Sequence, residues 1–278
     1  PAAARWRDEL KTGRAALRDA FLARPDTPRL LREHVRLVSR VLVEAWTELA
    51  APREMALLAV GGFGHGELYP HSDVDLLLLL PGPPDAEGTR FIERFVGLLW
   101  DIGIEAGHSV RTIAECQTEM DGDITVRTSL LESRLLAGSR ALYRDFLRVF
   151  AEHFDVPHFH EAKVLEQQQR HLKHHDTAYN LEPNIKESPG GLRDLQTVLW
   201  IARAAGLGRS WRELAHAGLI TLQEARSVSR QERFIGALRV RLHYLAGRRE
   251  DRLVFDQQQA LARQLGLADT PTRRASEQ

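Results

Sequence analysis

The chain's 278 residues suffice for one large domain or two ordinary ones, and 43% hydrophobic with 27% charged residues is the balance of a soluble globular protein. Its 38 Lys and Arg match 38 Asp and Glu, which leaves no global field for holding a nucleic-acid backbone. A single cysteine, Cys116, excludes an internal disulfide and a Cys-based zinc cage; no apolar run approaches the roughly 20 residues of a membrane span, and PAAARWRDEL at the start lacks a signal peptide's apolar core. A cytoplasmic protein without nucleic-acid or membrane partners is therefore expected. The absent initial Met and the polar end, DTPTRRASEQ, suggest a piece of a longer chain.

Residues 5–23 and 28–49 have helical periodicity; in the second, Leu30, Leu31, Val35, Val38, Val41, Leu42 and Ala45 recur on one face. MALLAV, Met55 to Val60, is a short apolar run ending at a glycine pair, which predicts a buried strand. Residues 61–72, with four glycines and one proline, form a turn-rich connection. Asp73 to Leu80 predicts a second strand, residues 89–103 a helix, and IEAGHSV, Ile104 to Val110, a third strand. Beyond Thr112 the pattern is helical almost to the end, over 112–120, 123–133, 139–154 and 158–178. YNLEPNIKESPGG, Tyr179 to Gly191, interrupts it before a helix opening at LRDLQTVLWIARAA and helices over 210–217, 221–246 and 256–266. The expected fold class is α+β: N-terminal helices over 1–50, a small mixed-sheet catalytic domain with flanking helices over 51–155, and an all-helical substrate- or nucleotide-binding domain over 156–278.

The chemistry concentrates in GGFGHGELYPHSDVDLLLLL, Gly61 to Leu80. Side chains alternate across a strand, so Asp73 and Asp75 share one face and can chelate a hard divalent cation such as magnesium through oxygen. The leucine run that follows anchors the pair in the core. Gly61 and Gly62 permit positive φ and let backbone amides approach a phosphate. Glu105, between Ile104 and Ala106, is the preferred third acid; His108 falls on the opposite face of a regular strand. A metal-held nucleotide is the ligand this set fits, and two ions can hold the attacking and leaving oxygens of a nucleotidyl transfer.

NIKESPGGLRD is too polar and too broken for a core segment. Lys186 and Arg193 are placed to meet phosphate, beside Gly190 and Gly191 at a helix start. Asp194 is expected to complement the helix dipole or orient Arg193. This loop is expected to close over the nucleotide from the helical domain, with the active site in the interdomain cleft. His171, His174, His175 and Asp176 invite a metal reading, but no downstream ligand set matches, and a solvated helix face is expected. Cys116 reads as an inert helix residue, Trp46, Trp100 and Trp200 as core, and Gly247 to Arg252 as a solvated turn.

A glycine pair after a strand, followed by S-D-x-D before an apolar run, resembles the polymerase-β-like nucleotidyltransferase superfamily. GGFGHGELYPHSDVDLLLL, GHSVRT and YNLEPNIKESPGGLRDLQTVLWIAR together are similar to the bacterial PII uridylyltransferase/uridylyl-removing enzymes of nitrogen control, from about residue 55 to 255. GGLRDLQ also resembles a segment of the adenylyltransferase that modifies glutamine synthetase. The resemblance implies transfer of UMP from UTP to a tyrosine hydroxyl of the PII signal protein, with Mg2+ or Mn2+. It implies phosphate contacts at Gly61 and Gly62, metal acids at Asp73 and Asp75 with Ser72 before them, and a third acid at Glu105. His65 stands where that family usually has arginine. Nothing here resembles the family's histidine–aspartate hydrolase and small-molecule-sensing domains, so uridylyl removal and glutamine sensing are not expected of this chain. The rivals are another nucleotidyltransferase of the same superfamily, acting on a different protein or a small molecule, and a non-catalytic nucleotide sensor. RNA tailing is disfavoured by the neutral charge.

Overall fold

The computed structural model describes residues 2–174 and 180–277, in two compact units, Pro1–Asp155 and Val156–Gln278. The architecture is α+β with a small mixed sheet, as the sequence predicted. In the first unit, α1 (Ala2–Ala23) and α2 (Thr27–Glu48) precede β1 (Ala56–Ala59), the short helix α3 (Gly61–His65) and β2 (Val74–Leu80). Helix α4 (Ala86–Asp101) leads to β3 (Ala106–Thr112), followed by α5 (Ile113–Gly122), α6 (Ile124–Leu131), β4 (Arg134–Gly138) and α7 (Arg140–Glu152). The sheet runs β3-β2-β1-β4; β2 and β3 are parallel, and the other pairs antiparallel. A parallel pair needs a crossover connection, which α4 supplies.

Period two sorts the core. Val74, Leu76, Leu78 and Leu80 of β2 join Leu57 and Ala59 of β1 against α1, α2 and α4, where Trp46 meets Phe91 and Phe95 edge-on at 4.9 and 5.4 Å. Leu77 and Leu79 join Ala56, Leu58 and Val60 on the other face, against Cys116, Met120, Leu130, Phe146 and Phe150. Each buried leucine contributes about 2 kcal/mol before its entropy cost, so β2 is held firmly behind its first residues. Asp26 and Asp85 cap α2 and α4, and Thr112 with Glu115 forms a capping box on α5.

Three sequence expectations are corrected. Residues 134–138, left between the helices expected over 123–133 and 139–154 with no strand expected beyond Thr112, form β4: they pair with β1 and supply the sheet's second edge. Trp100 is 71% exposed, since it stands one residue beyond the stripe Phe91, Phe95, Leu99 that α4 buries. The strands also begin later than expected, leaving Asp73 and Glu105 each one residue before its strand.

The second unit contains α8 (Val156–Lys173), α9 (Leu192–Ala204), α10 (Trp211–His216), α11 (Leu222–Ala246) and α12 (Phe255–Gln264). Ala202, Trp211, Leu214 and Ala225 form a small apolar core, and Trp211 Nε1 donates to Glu232 at 2.9 Å. Around it the buried residues include Lys163, Arg170, Arg239, Arg241 and His243. Buried charge requires partners. Asp251 is the principal one, accepting from Arg239 Nε at 2.6 Å and bonding His243 Nε2 at 3.1 Å. Gly247, Arg248, Arg249 and Arg252 are exposed, as expected of a turn, but Glu250 and Asp251 are drawn inward. Ile185 N donates to Asp251 O and Leu253 N to Pro183 O, which pins the Asn180–Gly191 segment to this stretch.

Candidate active site

Asp75 lies at the mouth of the sheet, half-buried, and the backbone around it is shaped to its carboxylate. A Cβ added to Gly61 would stand 3.1 Å from Asp75 Oδ2, and one added to Gly107 would stand 2.7 Å from Asp75 Oδ1. Gly107 is the cross-strand neighbour of Asp75 on β3. Two glycines from two elements thus leave room for one carboxylate. Gly61 has a further requirement, its φ of +56°, which L side chains rarely adopt. Asp73 is exposed and precedes β2 directly. Val74 N donates to Glu105 O at 2.9 Å and Val74 pairs with Ala106, which places Glu105 level with Asp73. His108 pairs with Leu76, so it belongs to the opposite face.

Glu105 is exposed, and its charge favours the protonated form of Arg14 on α1, against burial, which pulls that guanidinium down. Among the described residues no group of three His, Cys, Asp or Glu side chains is drawn together to hold a metal. The structure brings Asp75 to Gly61 and Gly107, and sets Asp73 and Glu105 at the same sheet end. Carboxylates are the hard oxygen donors that magnesium and manganese take, and glycine keeps space around that of Asp75.

Helix α3 carries the glycine pair. Its N-cap residue, Val60, makes no side-chain cap, while Arg134 of β4 donates through Nη2 to Phe63 O at 3.2 Å at the other end. A Cβ on Gly64 would fall 2.1 Å from Glu132 O and 2.8 Å from Ala59 O, so α3 packs directly on backbone. His65 Nδ1 donates to the buried Glu132 carboxylate at 2.6 Å.

The connection from α3 to Asp73 is held by α2. Arg14 Nε donates to His34 Nε2 at 3.3 Å, so His34 Nδ1 carries the hydrogen and donates to Leu68 O at 3.0 Å. Burial, reinforced by Arg14, pushes the His34 imidazole down to about 4 and keeps it neutral. Ser72 N closes a turn onto Tyr69 O.

In the second unit, Lys186 and Arg193 do come together, with Glu187 between them at 3.5 and 3.3 Å. Burial first, then the charges of Arg193 and Arg239, push the Lys186 ammonium down to about 8. Arg193 also donates to Gln196 and lies 5.2 Å over the Trp200 ring, on which Lys163 Nζ stands at 4.5 Å. Trp200 is thus half-buried under two cations rather than core. Asp194 accepts from Gly190 N at 2.7 Å, the helix-start role expected of it, but its other partners are Gln167, Arg170 and His171, not Arg193. His171 therefore faces inward rather than to solvent; His175 and Asp176 lie outside the described residues. Gly107, Glu132, Arg170 and Asp251 carried no signal in the sequence analysis above. The alternation of β3 could have singled out Gly107, the small residue two positions after Glu105.

Among the described residues no helix is long and apolar enough to cross a membrane. Residues 158–278 match the family model of the GlnD PII-uridylyltransferases. Over 99% of its length the chain is 53% identical to a bifunctional uridylyltransferase/uridylyl-removing enzyme of Cupriavidus metallidurans, covering 32% of that protein. Relatives of the same description from Chromobacterium violaceum and Nitrosospira multiformis are each 52% identical over 98% of the chain, of which it covers 32% and 31%. The chain thus spans about a third of the length of the curated relatives it matches.

Proposed function

Because the chain belongs to the PII-uridylyltransferase family, we propose that it transfers UMP from UTP to a tyrosine hydroxyl of a PII signal protein in the cytoplasm, releasing pyrophosphate. The observation that carries this reading is the Asp75 carboxylate, given its place between Gly61 and Gly107 at the end of a buried strand. Asp73 and Asp75, with Glu105 level with Asp73, would hold magnesium or manganese, which supplies charge neutralisation to the phosphoryl oxygens. The Gly61 and Gly62 amides receive the β- and γ-phosphates, in the absence of a side-chain cap on α3. Ser72 fixes the entry to Asp73. Lys186 and Arg193 bind nucleotide phosphate. The rigid anchoring of β2 keeps Asp75 in place, so little reorganisation accompanies the attack.

The test is to incubate the chain with UTP, magnesium and a PII protein, following pyrophosphate release and the mass of the PII tyrosine peptide. Uridylylated tyrosine is expected, and Asp75→Asn should abolish it. Transfer from ATP in preference to UTP, or to a different acceptor, would assign the chain to another nucleotidyltransferase reaction. Bound UTP with no pyrophosphate release would make it a nucleotide sensor.

A further inference from the structure

In the second unit a single carboxylate serves three cations. Glu187 Oε1 stands 3.3 Å from Arg193 Nη2 and 3.5 Å from Lys186 Nζ, and its Oε2 stands 3.8 Å from Arg170 Nε. The other carboxylates nearby are committed. Asp194 bonds Arg170 Nη2, His171, Gln167 and the Gly190 amide. Asp251 takes Arg239 and His243, and Glu166 holds Lys163 at 2.6 Å. Arg170 is 8% exposed, yet its Nε and Nη1 have no hydrogen-bond partner among the described residues. A buried donor left unmade costs free energy, so such a group asks for a ligand. The crowding registers on the neighbours: burial, then Arg193 and Arg239, depress Lys186, and burial, with Arg193 and Arg170 adding to it, depresses Lys163.

We propose that Arg170, Lys186 and Arg193 form a phosphate-binding site of the second unit, in which the Glu187 carboxylate is an internal anion that an incoming phosphate displaces. The proposal rests on the reading of Lys186 and Arg193 as nucleotide-phosphate ligands; it adds Arg170 as a third ligand and Glu187 as the competitor, and needs no metal. The backbone at Glu187 stays fixed while its side chain leaves, since Asn184 Oδ1 accepts from both Lys186 N and Glu187 N. Arginine's planar fork can meet two phosphate oxygens at once, which a carboxylate 3.8 Å from Nε does not satisfy.

The probe is inorganic pyrophosphate, titrated calorimetrically into the full chain in EDTA. One pyrophosphate per chain is expected, competed by UTP and not by uridine. Arg170→Met should weaken it at least tenfold. Glu187→Gln should tighten it severalfold, since the internal competitor has lost its charge; a merely structural Glu187 predicts the reverse. This variant also keeps the test decisive should Arg170→Met fail to fold. Absence of binding in EDTA, indifference to UTP, or a Glu187→Gln affinity equal to or weaker than the parent's would overturn the proposal. Asp75→Asn separates it from the reaction: pyrophosphate binding in EDTA should survive there while UMP transfer is lost.

Discussion

Asp75 and the two glycines around it make a prediction that separates function from stability. In Gly107→Ala the new Cβ meets only the tip of the Asp75 side chain, which can swing aside. Unfolding free energy should therefore change by less than about 1 kcal/mol, while the carboxylate moves off its position. Loss of well-placed charge stabilisation of several kcal/mol corresponds to on the order of a thousandfold in rate. We expect Asp75→Asn to approach that loss and Gly107→Ala to show at least about a tenfold loss with a raised metal requirement. Comparing kcat against magnesium concentration with urea midpoints checks both; a Gly107→Ala protein that keeps full activity would remove the cradle from the argument. Asp73, Asp75 and the glycine pair were legible in the sequence because each breaks a local rule: acids heading an apolar run, glycines closing a strand. Gly107 was not, because its significance lies in the register of β3 against β2 and not in its own neighbours.

At the level of elements, α3 and its connection to β2 are held from outside their own sequence. Backbone carbonyls of Glu132 and Ala59 face Gly64, so Gly64→Ala has no flexible side chain to push aside. It should destabilise the first unit by about 1–3 kcal/mol or more, measured by urea unfolding. His34 predicts a pH dependence. Its folded-state value, about 4, lies below the ordinary 6.5. The unfolded chain therefore binds the extra proton between those values, and stability falls as pH drops from 6.5 toward 4. By pH 5 the loss should be about 2 kcal/mol. A His34→Asn variant should lack this slope; an equal slope in both proteins would place the titration elsewhere. Strand β4 escaped the sequence reading for a related reason. RLLAG continues the leucine pattern of α6, and only pairing with β1 makes it extended.

Across the whole molecule, the two units differ in how their interiors read from sequence. The first is legible because its core is apolar and periodic, with leucines alternating on β2 and helical stripes on α2 and α4. The second hides charge inside, and Lys163, Arg170, Arg239 and Asp251 look like solvated residues until their partners are seen. Its stability should accordingly hinge on few ions. Burial raises the Asp251 carboxylate's affinity for a proton, but bonds from His243 and Arg239 outweigh it and hold that carboxyl well below the usual range. Asp251→Asn keeps the shape and removes the charge that Arg239 and His243 bond. Breaking a buried pair from one side costs about 3–5 kcal/mol. The loss should appear where Asp251 is anchored, as faster amide exchange in α11 and at Ile185 and Leu253, whose N–H groups bond Asp251 O and Pro183 O. The amides of β1 and β2 in the first unit's core serve as the internal reference. Exchange that rises equally in both units would mean the Asp251 network is not local to the second.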